Sequence, residues 1–159
     1  MIERIGVRNI YGHRSIVYKI FLKQSTVFMR ADETQHENDN RYIAIVDANK
    51  FYKEWTGKTV ESCVIGEFEQ EKYTNAIDGF SRGITNPVPL AEAGYYNGIS
   101  FTNGITRTKW LILNGALCFP VECSERSARR FQSISYDNIK PENVATLLQE
   151  EAVHDPIPR

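Results

Sequence analysis

The residue types with the clearest chemical potential lie together at a glycine turn in the middle of the chain. Asn103-Gly104 is a strong turn signal, and it precedes Thr106, Arg107 and Thr108 at the start of a predicted helix. A helix N-terminus offers unpartnered N–H groups and the positive end of the helix dipole. Arg107 could clamp a phosphate bidentately, and the threonine hydroxyls could donate hydrogen bonds to it. The pattern suits a phosphate site, although an ordinary turn with Thr106 as helix cap explains the same spacing.

Other charged residues could contribute, but each has a simpler explanation. Arg82, in the loop before Asn86-Pro87, could face the same phosphates. Glu69 and Glu71 could act as metal ligands or bases, although ordinary charges on a helix surface account for them. A solvated helix face is likewise the simpler interpretation of a later basic cluster, which consists of Arg126, Arg129 and Arg130.

Cysteine and histidine usage argues against redox and zinc chemistry. The three cysteines lack the spacing of a disulfide framework and are expected to be reduced, non-catalytic core residues: Cys63, Cys118 and Cys123. No Cys-x-x-Cys occurs, and the three histidines are scattered through polar segments at His13, His36 and His154. No protein metal site is therefore predicted.

Length, charge and hydropathy narrow the class of protein. A chain of 159 residues suits one domain, and a net charge of −1 does not draw the whole molecule onto nucleic acid or anionic lipid. Any such contact would need a local basic patch. No signal peptide and no apolar run of membrane-spanning length is evident, so a cytoplasmic protein without membrane insertion is expected.

The elements that would position the turn follow from residue patterns. Strand-forming residues over 16–22 and 26–29 predict an N-terminal β-hairpin, and residues 31–41 are a polar loop. An apolar strand over 42–47 leads into a helix that Asp47 caps and Gly57 ends. The aromatic residues of that helix are expected in the core.

The second half of the chain shows shorter elements. We predict a helix over 67–79 that buries Phe68, Tyr73, Ala76 and Ile77, and an extended loop that enters a short edge strand. The remaining predictions are a strand over 99–102, a helix over 106–114, a strand over 119–123, a helix over 124–132 and a helix over 141–151 that opens at Pro141. The unit 99–123 should pack on the 67–79 helix, and a flexible tail is expected over 153–159.

The turn and its surroundings resemble the ParB/sulfiredoxin-like superfamily over roughly residues 60–123. The similar features are a strand, the turn Gly104-Ile105-Thr106-Arg107, a helix, a glycine stop and a Pro-Val strand. Four segments have amino-acid sequences similar to those of the plasmid fertility-inhibition factors of that superfamily: 83–91, 101–108, 114–116 and 119–122. The resemblance implies an α+β ParB/sulfiredoxin-like domain over 1–152, with a mixed sheet and helices packed around it.

The resemblance also implies a function. Fertility-inhibition factors block conjugative or T-DNA transfer and are associated with ATP hydrolysis and DNase activity. Binding of nucleotide or DNA phosphates would then fall to Asn103, Gly104, Thr106, Arg107, Thr108 and Arg82, with Arg107 and Thr106 as catalytic candidates. ATP with a divalent metal such as Mg²⁺ is the implied cofactor.

Departures from the superfamily pattern leave two functions open. Ile105 stands where sulfiredoxin needs its cysteine, so sulfiredoxin chemistry is excluded, and Thr106 replaces the superfamily histidine. Little more than terminal helices follows residue 123, so the sequence-specific centromere binding of a partition ParB is not expected. The chain is either a phosphate-binding protein, with or without hydrolytic activity, or a non-catalytic module for a component of the transfer or secretion machinery. In the second case Arg107 could pair internally with a carboxylate such as Glu122.

Overall fold

Alternating β-branched and aromatic residues at the N-terminus build an antiparallel meander. In the computed structural model, which describes residues 1–34 and 38–154, the last five by backbone alone, the meander comprises β1 (Ile2–Ile10), β2 (His13–Phe21) and β3 (Thr26–Asp32). A two-residue strand, β5 (Val88–Pro89), pairs in parallel with β3 and completes a four-stranded sheet at its edge. The edge position suits Pro89, which has no N–H to donate to a further strand.

A second mixed sheet carries the turn at Gly104. Its strand order is β7-β6-β8-β4-β9, with bounds β4 (Tyr42–Asp47), β6 (Ala91–Tyr95), β7 (Ile99–Asn103), β8 (Cys118–Cys123) and β9 (Glu142–Asn143). Only the β6–β8 pair is parallel, and the other three pairs are antiparallel.

Five α-helices surround the two sheets in the described part of the chain: α1 (Ala48–Thr56), α2 (Gln70–Phe80), α3 (Ile105–Leu113), α4 (Glu125–Phe131) and α5 (Val144–His154). The Asp47 side chain caps α1 by accepting from the N–H of Lys50 at 2.9 Å, and Ser124 caps α4 by accepting from Ser127. Across the residues described, no helix is long and apolar enough to cross a bilayer.

One hydrophobic core joins both sheets. Phe51 of α1 lies at its centre, fully buried, with its ring 5.2 Å from that of Phe119 on β8 and 6.0 Å from that of Phe131 on α4. Leu147 of α5 is also fully buried and belongs to the same cluster as the β1–β3 residues. The helices therefore hold the second sheet in place from several sides.

Several predictions are confirmed. The chain is an α+β protein with an N-terminal hairpin, and the strand over 42–47, the Asp47 cap and the Gly57 stop all occur. The unit 99–123 forms strand, turn, helix and strand, and it packs on α2, where the rings of Phe80 and Trp110 stack at 4.3 Å.

Other predictions are wrong for local reasons. Phe68 is 98% exposed because it lies in a 3₁₀ turn over Glu67–Glu69 that precedes α2. Ile77 is half-exposed because the inward side of α2 carries Tyr73, Ala76 and Phe80. Pro141 precedes β9, and α5 starts only at Val144, where the Asn143 side chain caps it by accepting from the N–H of Thr146.

Parts of the sequence-based expectations fall outside what the structure describes. His36, the side chain of His154 and most of the expected tail over 153–159 lie outside the described residues, and α5 reaches His154. His13 is exposed, as expected.

Candidate functional site

Gly104 sets the geometry of the turn between β7 and α3. It is the residue before the first helical residue of α3, and its φ of 97° lies in the left-handed region. A Cβ at this position would stand 2.5 Å from Cβ of Ala91 and 2.7 Å from its Cα, on the neighbouring strand β6. Glycine is therefore required twice, by the backbone angle and by the close approach of the two chain segments.

The turn opens onto a cleft of about 530 Å³ between α2 and the start of α3, which we call the turn cleft. Its walls are formed by Lys72, Asn75, Ala76, Gly79, Val88, Phe101, Thr102, Asn103, Gly104, Ile105, Thr106 and Arg107. Within the described chain no side chain caps α3, so the first N–H groups of the helix remain available to a ligand. Of the described residues that line the cleft, two are cations and none is a carboxylate.

Arg107 is held in the cleft wall by internal contacts. Its Nη2 donates to Oδ1 of Asn103 at 2.8 Å and, more weakly, to the carbonyl of Leu90 at 3.4 Å. Its Nε is buried and finds no hydrogen-bond partner among the described residues. Burial lowers the pKa of the Arg107 guanidinium, the charge of Glu92 opposes this, and Arg30 adds to it. The guanidinium remains charged at neutral pH.

The other residues of the predicted site differ in whether they line the turn cleft and can reach a ligand there. Thr106 is half-buried in the cleft wall and Asn103 is exposed at its rim. Thr108 is fully buried, and its hydroxyl donates to the carbonyl of Gly104 at 2.9 Å, so it is not free to donate to a ligand. Arg82 does not line the cleft; it pairs with Asp78 at 2.6 Å on the exposed end of α2.

Sequence reasoning missed Lys72, the second cation of the turn cleft. It lies one helical turn before Ala76 on α2, with Asn75 beside it. The spacing of Lys72, Asn75 and Gly79 on one side of a helix is visible in the sequence. What could not be seen is that this side faces the turn rather than solvent.

A second cleft of about 500 Å³ lies beside the turn cleft, on the face of the sheet that Arg41 and Glu122 share, and we call it the sheet cleft. Arg41 donates to Glu122 at 2.6 Å, to Asp39 at 2.8 Å and to the carbonyl of Asp32 at 2.6 Å. Glu122 therefore pairs with Arg41, and the expected alternative of an Arg107–Glu122 pair is wrong.

Charge in the sheet cleft is only partly compensated. Burial raises the pKa of Glu122, and Arg41 offsets that rise only in part, while the charge of Glu92 adds to it. The pKa of Arg41 is raised chiefly by its hydrogen bond with Asp39. Of the two partners, Glu122 is the one whose charged form is destabilised, because burial disfavours an ionised carboxylate.

The two clefts meet at the end of β7. Thr102 lines both of them. On β6, Glu92 is the register partner of Asn103 on one side and of Glu122 on the other, and its charge acts on both Arg107 and Glu122. A row of charged groups thus crosses the sheet from Arg107 through the two glutamates to Arg41.

Comparison of the sequence with known protein families gives a match. The family described as Plasmid Fertility inhibition factor matches residues 43–135, which is more than half of the chain. The chain belongs to the plasmid fertility inhibition factor family. The matched segment contains the turn cleft and α4, whereas the β1–β3 meander of this fertility inhibition factor lies outside it.

Two relatives agree with this assignment. The chain is 32% identical over 91 residues to protein osa of Shigella flexneri, a match that covers 50% of this chain and 48% of that protein. The chain thus matches about half the length of this curated relative. The crystal structure of an oncogenic suppression activity protein, described as a plasmid fertility inhibition factor in a gold(I) cyanide derivative, superposes with a TM-score of 0.71 at 25% identity, covering 94% of this chain and 82% of that one. The predicted fold is thereby confirmed.

Proposed function

We propose that this fertility inhibition factor blocks conjugative or T-DNA transfer by binding a phosphate group of nucleotide or DNA in the turn cleft. The observation that carries the proposal is the charge of the lining: the described residues supply Lys72 and Arg107 and no carboxylate. The uncapped N-terminus of α3 adds N–H donors at the same place. Cations and oriented donors in a cleft favour an anion over a neutral ligand.

Arg107 is positioned for such a ligand by contacts that use only part of its donor capacity. Guanidinium carries five N–H donors, and Asn103 and Leu90 occupy Nη2 alone. The remaining donors include the buried Nε without a partner. A phosphate oxygen that reached this group would relieve an unpaired buried donor, which costs stability on the order of 1–3 kcal/mol.

Magnesium would come to this site with the nucleotide. The described residues contain no group of three His, Cys, Asp or Glu side chains that could hold a metal ion. Mg²⁺ is commonly bound by one or two carboxylates together with substrate phosphates, so this does not conflict with ATP as ligand. The part of the chain described here would supply Lys72, Arg107 and the α3 N–H groups to the phosphates.

Hydrolysis of ATP or DNA would require a base, since Thr106 replaces the superfamily histidine. Among the described residues no carboxylate lines the turn cleft, and Glu92, on the neighbouring strand β6, lines the sheet cleft instead. The turn cleft supports phosphate binding and, in the part of the chain described, supplies no base of its own for hydrolysis. Binding of the phosphate does not depend on this second step.

The test is calorimetric titration of ATP, with and without Mg²⁺, and of short DNA. Arg107→Ala should weaken binding about tenfold or more, since a charge-assisted hydrogen bond contributes roughly 1.5–3 kcal/mol, and Arg107→Lys should restore only part of it. Arg82→Ala is the matched control, because Arg82 pairs with Asp78 outside the cleft. Equal affinities for wild type and Arg107→Ala would refute the phosphate site, whatever thermal melting shows.

A separate observation favours the alternative function, a non-catalytic module that binds a component of the transfer or secretion machinery. Phe68 is 98% exposed and Val64 is 67% exposed, on the segment that leads into α2. Large apolar side chains exposed near one another are typical of protein contacts. A Phe68→Ala protein that binds nucleotide normally but no longer inhibits transfer in a mating assay would favour this alternative.

A further inference from the structure

The outer side of α4 forms a basic and aromatic surface that the turn cleft does not use. We call it the α4 surface and define it as Tyr96, Arg126, Arg129 and Arg130. All four side chains are exposed, and the three arginines follow the i, i+3, i+4 spacing that places residues on one side of a helix. Tyr96 directly follows β6, in the connection to β7.

Arginine and tyrosine side chains are stacked in pairs on this surface. The guanidinium carbon of Arg126 lies 5.3 Å from the ring centre of Tyr96, and that of Arg130 lies 4.8 Å from the ring centre of Tyr95. Both distances fall within the roughly 6 Å range of cation–π attraction. Two guanidinium groups are thus held against rings rather than left free in solvent.

Hydrogen bonds hold the Tyr96 side chain and the Tyr95 backbone in place. The hydroxyls of Tyr96 and Ser124 lie 3.2 Å apart, and the N–H of Tyr95 donates to the Ser127 hydroxyl at 2.9 Å. Gly94 leaves room for the Tyr96 ring, since a Cβ there would stand 3.1 Å from it. The Tyr96 ring is therefore ordered before any partner arrives, which lowers the entropic cost of binding.

Two carboxylates lie close to these arginines. Glu125 pairs with Arg129 at 3.5 Å, and both side chains are more than half exposed. The charge of Glu54 acts on Tyr95 together with that of Arg130. Exposed pairs of this kind are weak, so the three arginines still present an excess of positive charge to a partner.

We infer that the α4 surface binds single-stranded nucleic acid, with Arg126, Arg129 and Arg130 on successive phosphates and a base stacked on the Arg126–Tyr96 pair. Arginine combined with aromatic rings is the pattern that binds single strands, because an unpaired base exposes its face for stacking. A duplex hides that face, and an acidic peptide has none. This inference extends the proposed function. It rests on that function in one respect, which is that the partner is a nucleic acid.

The experiment is fluorescence anisotropy of a labelled oligo-dT strand with the full chain at several salt concentrations. Arg126→Ala and Arg130→Ala should each lower affinity at least fivefold and reduce the salt slope by about one phosphate contact. Tyr96→Leu should lower affinity about tenfold and leave the salt slope unchanged, because stacking releases no counterions. Arg8→Ala is the matched control, since Arg8 is exposed on β1, which belongs to a different sheet from β6, the strand that leads to Tyr96.

Two results would overturn the inference. One is an oligo-dT affinity and salt slope that stay at wild-type values in Arg126→Ala, Arg130→Ala and the charge reversal Arg126→Glu. The other is an equal loss for oligo-dT, for duplex DNA of the same length and for polyglutamate, which would show a surface that binds any polyanion. Because Arg126 is exposed, its variants should fold, and a thermal melt checks this.

The same variants separate this inference from the proposed function. The α4 variants should bind ATP with wild-type affinity, and Arg107→Ala should keep the Tyr96-dependent part of oligo-dT binding. Loss of oligo-dT binding in the α4 variants of a protein that does not bind ATP would support the α4 surface while refuting the turn cleft.

Discussion

At Gly104, backbone conformation and close packing constrain the same residue. Its left-handed φ disfavours any L side chain, and Ala91 on β6 occupies the space where a Cβ would go. Gly12, in the turn between β1 and β2, shares the positive φ, but a Cβ added there would meet no atom within 4 Å. A comparison of substitutions at Gly12 and Gly104 therefore distinguishes the free-energy cost of the positive φ from the cost of the overlap with Ala91.

Gly104→Ala should be clearly more destabilising than Gly12→Ala. The angle alone costs about 1–2 kcal/mol in either variant. The overlap with Ala91 should bring the loss at Gly104 to about 3 kcal/mol or more and should displace Arg107, whose Nη2 would lie 3.0 Å from the new Cβ. Urea unfolding measures both variants, and equal losses would show that the β6 contact does not constrain the turn.

The three cysteines are all buried and free, which predicts inert thiols. Burial raises the pKa of Cys123 to about 12, so almost no thiolate is present at neutral pH. Native protein should react with a thiol reagent such as DTNB only as fast as it opens, and protein in urea should react at once. Rapid labelling of one cysteine in folded protein would contradict this prediction.

At the residue scale, the sequence reveals what depends on neighbours along the chain. The cap at Asp47 and the turn at Gly104 were predictable, because each acts within a few residues. The positions of Lys72 in the turn cleft and of Glu92 opposite Asn103 were not, because they depend on which face of α2 is buried and on the register of β6. Thr108 was misjudged for a related reason, since helical geometry turns its hydroxyl back to Gly104.

At the scale of elements, one carboxylate joins the start of α2 to α3. Glu69 accepts from Nζ of Lys109 at 2.8 Å and from the N–H of Gly66 at 2.8 Å. The hydrogen bond from Lys109 is the main cause, and that from Gly66 the next, of a pKa below the ordinary 4.5 of a glutamate. The pair therefore fixes the two helices that form the walls of the turn cleft.

Glu69→Gln should destabilise the fold by about 1–2 kcal/mol at neutral pH, since a cap and a partly buried ion pair are weakened. A lowered pKa means that the folded state binds the proton less well than the unfolded state. The stabilisation by Glu69 is therefore complete above pH 4.5 and is lost as the pH falls through the folded pKa.

Urea unfolding at pH 7 and at pH 3.5 measures this difference. The difference in free energy of unfolding between wild type and Glu69→Gln should be smaller at pH 3.5 than at pH 7. Glu71→Gln is the control, because Glu71 is exposed in the first turn of α2 and should show a small effect at both pH values. A gap that does not depend on pH would mean that packing, not charge, explains the loss.

Element prediction succeeded where the period of the pattern was clear and failed where elements are short. The strand β6 was missed because Ala-Glu-Ala-Gly-Tyr carries little β-propensity, yet it lies between β7 and β8 in the site-bearing sheet. Its strand character comes from pairing on both sides. The same tertiary control explains Phe68, whose exposure follows from a 3₁₀ turn that the helical pattern did not reveal.

At the scale of the whole molecule, α5 ties the N-terminal meander to the second sheet. Leu147 is fully buried in the core that both sheets share, whereas Leu117, in the loop before β8, is 58% exposed. Leu147→Ala should cost about 2–5 kcal/mol and Leu117→Ala less than about 1 kcal/mol.

Both leucine variants should unfold in a single transition if the sheets form one cooperative unit. Circular dichroism and tryptophan fluorescence should then give coincident urea curves. Two separated transitions in Leu147→Ala would show instead that the meander and the second sheet are independent units, in conflict with the predicted single domain over 1–152.

The antiparallel pairing of β4 with β8 has a consequence for how the protein is made. The contacting residues Tyr42 and Cys123 are 81 positions apart, whereas β1 pairs with β2 and β2 with β3, each its immediate successor. During synthesis the meander can form as soon as it leaves the ribosome, but β4 and the parallel edge of β6 must wait for β8. A nascent chain halted before Cys118 would therefore lack the sheet cleft, whose lining includes Glu122 and Ser127, even with most of its residues already translated.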